Sequence, residues 1–98
     1  MWIGAVELDL LLGDVHSLKT KRGLVRPLVR ELRQRFELSV AEVGHLDLHR
    51  RSAVGASCVA ADRSHVMEIL DRVERFAAAR PEFELLSARR TLTTMDDA

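Results

Sequence analysis

The chain opens on a period-two alternation: Trp2, Val6, Leu8, Leu10 and Leu12 fall on one side of residues 2 to 12, Glu7 and Asp9 on the other. A strand with one dry and one wet face carries this pattern. After the turn-forming pair Gly13-Asp14 the period lengthens. Over residues 16 to 36, Leu18, Val25, Leu28, Val29, Leu32 and Phe36 share a stripe when successive residues are placed about 100° apart, which predicts a helix with that stripe on the core. Ser17 is placed to cap it, its hydroxyl accepting from an otherwise unpaired N–H of the first turn. Pro27 lies inside the pattern, lacks an N–H and presses on the carbonyl of Gly23, so one bent helix is expected rather than two.

Residues 38 to 46 mix β-branched and polar positions and predict a second strand, with 47 to 50 as its turn. Residues 51 to 61 are small or apolar at nearly every position, as in a strand with neighbours on both sides. Gly55 within it predicts a bulge or a close approach of other backbone. Asp62 then caps a second helix with Val66, Ile69, Leu70, Val73, Phe76 and Ala77 at core spacing, ending by Pro81. On its surface Glu68 can pair with Arg72, and Asp71 with Arg75. Residues 83 to 93 alternate again, Leu86, Ala88 and Leu92 against Ser87, Arg89 and Thr91, before a polar tail at 94 to 98 expected to fray.

The order βαββαβ, joined by right-handed crossovers, gives a ferredoxin-like α+β sandwich: a four-stranded antiparallel sheet with both helices on one face. Strands one and three are expected at the centre. The other face is then open and is expected to carry Glu7, Asp9, Glu42, Ser57 and Arg89, with Leu11, Val40 and Val59 as its apolar part. Residues 1 to 93 form the one domain expected of this length, and such a chain can bury about 60% of its unfolded surface.

Composition excludes several classes. Cys58 is the sole cysteine, so no internal disulfide forms, and on an interior strand it reads as a small buried hydrophobe rather than a nucleophile. Glu7 and Asp9 interrupt the first apolar run, which is too short and too acidic for a signal or a membrane span. A cytoplasmic address is the expectation. No phosphate loop, dinucleotide fingerprint or nucleophile elbow occurs, so an enzyme has no support in the sequence and no cofactor is implied.

Charge changes the picture more. Fifteen Lys and Arg balance fifteen Asp and Glu, yet residues 16 to 36 hold Lys19, Lys21, Arg22, Arg26, Arg30, Arg33 and Arg35 against Glu31 alone. The first helix is therefore cationic and the remainder acidic by the same amount. Lys19, Arg22, Arg26, Arg30 and Arg33 succeed one another at three or four positions and project side by side. With His16, Ser17 and Lys21 they are the candidate contacts for an anion such as an RNA backbone. The plain alternative is a solvated helix face, and overall neutrality favours it, since dedicated nucleic-acid binders are commonly basic throughout.

His16-Ser17-Leu18-Lys19-x-Lys21-Arg22, followed by Ser39-Val40-Ala41-Glu42-Val43 and then Asp47 and Arg51, resembles the YlxP-like family of small bacterial proteins, domain of unknown function 503, over nearly the whole chain. The resemblance implies the ferredoxin-like fold, a cytoplasmic location and no established activity. The family's genes tend to accompany translation and ribosome-maturation genes, which implies an RNA or ribosomal particle as partner. Pro27 and Gly23 in the helix, and Gly44-His45 where an Asp is expected nearby, depart from the family pattern.

Three further arrangements compete. RNA-recognition motifs share the topology but stack bases on aromatics of the central strands. Here those positions hold Glu7 and Asp9, so helix one is the remaining RNA surface. The turn from Gly13 to Ser17 could cradle a phosphate, as acylphosphatases do with a loop of glycine-valine-glutamine-glycine type, which is absent here. His45-x-Asp47-x-His49 could ligate zinc if its alternation survived, but at a strand end it reads as a polar connection. The runner-up to RNA binding is self-association into a homodimer through the open sheet face.

Overall fold

In a computed structural model, which describes residues 1–95, the strand Trp2–Leu12 (β1) is hydrogen-bonded on both sides. It leads into the helix Leu18–Phe36 (α1), the strands Ser39–Gly44 (β2) and Arg51–Ala60 (β3), the helix Arg63–Ala78 (α2) and the strand Phe83–Thr94 (β4). The sheet order is β2-β3-β1-β4 and each pairing is antiparallel, so β1 and β3 are central as expected. This is the ferredoxin-like sandwich that the order of hydrophobic periods predicts.

Even-numbered positions of β1 point at the helices: Val6, Leu8, Leu10 and Leu12 are buried, and in register with them Val54 lies opposite Leu8 and Ala56 opposite Val6. Val25, Leu28 and Leu32 of α1 and Val66, Leu70, Val73 and Ala77 of α2 close the same core. At Gly4 the sheet meets α2 with no room for a side chain, because a Cβ there would stand 2.2 Å from Val66 Cγ1. Among the described residues no helix is long and apolar enough to cross a membrane.

Several expected details differ. β2 is shorter than 38 to 46, β3 ends at Ala60 and α2 stops at Ala78, before Pro81. β4 extends to Thr94, which is buried, one residue beyond the expected 83 to 93; positions 96 to 98 of the expected tail lie outside the described residues. As expected, Pro27 does not divide α1, which runs unbroken through it. Asp62 is the N-cap residue of α2 but makes no side-chain capping bond. At Gly55 there is no bulge; the Val43 side chain lies over it instead, 3.2 Å from where a Cβ would stand.

Two true irregularities reset the alternation. Asp9 pairs with Ser87 but Leu10 pairs with Leu85, so Leu86 is left out of register and stands 43% exposed rather than in the core. A second slip falls between Glu42 and Gly44. On β2, Val40 is buried toward the helices and Glu42 turns the same way to meet α1, so neither belongs to the open face. That face keeps Glu7, Asp9, Leu11, Ser57, Val59 and Arg89.

Candidate nucleic-acid interface

The cations of α1 divide into two sets. Lys21 has the phase of the core stripe, since Lys21, Val25, Leu28 and Leu32 are the buried residues of the helix. Its side chain runs inward and is 2% exposed; Nζ donates to the His45 carbonyl at 2.6 Å and lies 3.0 Å from Glu42 Oε2. Ser52 Oγ donates to that same carboxylate oxygen at 2.7 Å. Each buried charge is thus matched, as charges out of water must be. Lys21 is a structural bolt between α1 and the end of β2, and is withdrawn from the anion-contact set.

Arg33 is also committed. Its Nε and Nη2 donate to the Val40 carbonyl at 3.0 and 2.5 Å, fastening the helix to the edge strand. Ser17 acts as the expected N-cap, accepting from the Thr20 N–H at 3.0 Å and donating to Thr20 Oγ1. His16 is turned to Asp14, with Nε2 to Oδ1 at 2.7 Å, and both side chains are largely in water. The loop from Gly13 to Ser17 is therefore occupied with its own contacts. Arg35 stands over the Phe76 ring, 5.3 Å from its centroid, on the side of α1 that meets α2.

What remains is Lys19, Arg22, Arg26 and Arg30. At 1.5 Å rise per residue they span about 16 Å of the helix axis, within about 80° of arc. With Gly23 and Pro27 they line one hollow of about 370 Å³ on the solvent side. All four are exposed, and none has an ion pair, hydrogen bond or ring contact among the described residues. The arrangement works against the helix: like charges four apart repel by a few tenths of a kcal/mol each, and no acidic residue in the first turn offsets Lys19 at the positive end of the dipole.

The other cations are almost all spent within the chain. Arg51 donates to both carboxylate oxygens of Asp9 at 2.7 Å, and Arg50 to the carbonyl of Gly13 at 2.7 Å. Arg63 packs on Trp2 and Met67, Arg72 bonds Glu68 as expected, Arg80 holds Glu31 and Glu82, and Arg89 meets Glu7. Arg90, on the helix side of β4, takes Asp71 and Glu74 at 2.8 Å each; burial alone would lower its pKa, but the hydrogen bonds to the two carboxylates outweigh that and raise it. Asp71 therefore serves Arg90 rather than Arg75. Arg75 is the one Lys or Arg side chain outside the α1 row without a partner among the described residues.

The rival chemistries find little here. β2 ends at Gly44, so His45, Asp47 and His49 do not alternate along a strand; His45 takes a left-handed backbone, φ 57°, and its ring stands 3.7 Å from Asp9. Among the described residues no three His, Cys, Asp or Glu are grouped to hold a metal ion. Cys58 is half-buried on the helix side of β3, and burial pushes its thiol above the ordinary range, away from the reactive thiolate. His65 is exposed in the first turn of α2.

The protein is thus a ferredoxin-like sandwich in which the arginines of the sheet are ion-paired and, among the described residues, a row of cations on one helix is not. A family model described as a protein of unknown function, DUF503, matches residues 3–90, and the chain belongs to that family. It is similar to the uncharacterized protein YlxP of Bacillus subtilis (strain 168), 31% identical over 82 residues, which cover 84% of this chain and 89% of that protein.

Proposed function

We propose that this protein is a cytoplasmic, non-catalytic accessory factor that binds RNA or a ribosomal particle through the outer flank of α1. One observation carries the reading: among the described residues, four of the five Lys and Arg side chains without a partner line a single hollow. A surface that evolves only for solubility intersperses its signs. Here a row of one sign is kept at a cost to its own helix, which a polyanion would repay. The link to translation implied by the family resemblance selects RNA among polyanions.

Co-sedimentation with ribosomal subunits, or binding to a mixed RNA, across a salt series tests this. Contact with about four phosphates on single-stranded RNA gives a slope of log affinity against log salt near −3. Changing Arg26 and Arg30 together to Glu is expected to abolish binding at low salt while leaving the fold intact. Unchanged binding in that double variant overturns the proposal.

The second reading is self-association through the open sheet face. It is favoured by Val43 and Val59, 52% and 61% exposed, and by a trough of about 820 Å³ lined by Ala5, Ala41, Gly55 and Ser57 among others. Light scattering at tens of micromolar decides it, because a monomer at that concentration removes the dimer.

A further inference from the structure

The hollow among the four cations has a floor as well as a rim, and both floor residues are unusual inside a helix. Gly23 is exposed and has nothing within 4 Å of the place where a Cβ would stand, so its backbone lies bare to solvent. Pro27, four residues on, lines the same hollow. In a regular helix the N–H of residue 27 would donate to the carbonyl of residue 23, and proline has no N–H to give. The Gly23 carbonyl therefore loses its helical donor, and a backbone acceptor in that state is satisfied by water or by a ligand that donates.

A site with four cations around a carbonyl that lacks its regular helical donor has a definite complement: a ligand carrying several negative charges and a neutral hydroxyl donor between them. A ribose-phosphate backbone is such a ligand, and its 2′-hydroxyl is the group that distinguishes RNA from DNA. Building on the RNA-binding reading above, we propose that the notch formed by Gly23 and Pro27 accepts a ribose 2′-hydroxyl at the Gly23 carbonyl. Lys19, Arg22, Arg26 and Arg30 hold the flanking phosphates, so α1 selects RNA over DNA without reading bases. No aromatic side chain lines the hollow, so bases have no aromatic platform there.

The test compares three oligonucleotides of one length and one base: oligouridylate, its 2′-deoxy form, and its 2′-O-methyl form, which has lost the donor. Fluorescence anisotropy at low salt is expected to give oligouridylate a threefold to tenfold preference over both, roughly the worth of one hydrogen bond. Pro27→Ala supplies the missing N–H to Gly23 and leaves every charge in place. It is expected to bind all three probes equally, at the affinity wild type shows for the 2′-deoxy probe, with an unchanged salt slope and a helix at least as stable by circular dichroism. Equal binding of the three probes by wild type, or a ribose preference that survives in Pro27→Ala, overturns the 2′-hydroxyl assignment while leaving RNA binding by the cationic row standing. Failure of wild type to bind any probe overturns both.

Discussion

On the open face of the sheet Arg89 meets Glu7 and Arg51 meets Asp9, whereas on the outer flank of α1 Lys19, Arg22, Arg26 and Arg30 meet no carboxylate among the described residues. The chain is neutral overall, so counter-ions were available to both surfaces. Their distribution is what differs. Cross-strand neighbours sit close enough on a sheet for opposite charges to pair directly, and such a face carries little outward field. The helix flank has only like-charged neighbours at its three- and four-residue spacings, so its field points into solvent. Net charge alone hides this, because it averages a self-neutralised face with one that is not.

The largest effect is expected where a cation of the same helix is committed inward. Lys21→Met leaves the Glu42 carboxylate, 21% exposed, with only the Ser52 hydroxyl, and leaves the His45 carbonyl with only the Leu48 N–H. A loss of about 3 kcal/mol in urea denaturation is expected, because breaking a buried pair strands the surviving charge. Adding Glu42→Gln to the same chain is expected to recover part of it. A loss below about 1 kcal/mol would mean that Lys21 can swing outward, and it would rejoin the cationic row.

Arg90→Ala comes next. Arg90 is 24% exposed in its side chain and serves two carboxylates of α2, so its removal leaves Asp71 and Glu74 facing one another. About 1.5 kcal/mol is expected by the same measurement, less than for Lys21 because water reaches both acids.

These two positions also show where the sequence was legible. The fold was plain, because each element announces its period: Val6, Leu8, Leu10 and Leu12 alternate as a strand, and Val25, Leu28 and Leu32 recur as a helix. Lys21 was misassigned to the anion contacts, although its phase, that of Val25, Leu28 and Leu32, carried the signal of a buried charge that needs a partner. Arg33 was not, since its tie to the Val40 carbonyl depends on where the edge strand lies beside the helix. The bulge that ejects Leu86 and the inward turn of Glu42 depend on register, which period-two patterns leave open at an edge.

A smaller effect of opposite sign is expected on the flank itself. Arg26 stands four residues from both Arg22 and Arg30, so Arg26→Gln removes two repulsive neighbours and is expected to raise stability by about 0.5 kcal/mol at low salt. The gain should fade as salt screens the row. Loss of stability instead would reveal an intramolecular partner for Arg26 and would break the distinction between the two surfaces.

The smallest effect belongs to the open face. Arg89 is 79% exposed in its side chain and meets a Glu7 that is itself 37% exposed, so water already solvates both charges and the pair contributes little. Arg89→Ala is expected to cost about 0.3 kcal/mol in urea. Its second readout is more telling. Unpairing Glu7 gives the sheet a net negative field beside Asp9, which Arg51 still neutralises, and leaves the cations of α1 untouched. On the proposed reading, RNA binding through α1 then keeps its affinity and salt slope. If Arg89→Ala weakens RNA binding as strongly as loss of a row cation does, polyanion contact extends across the sheet, and pairing with Glu7 has not silenced that surface.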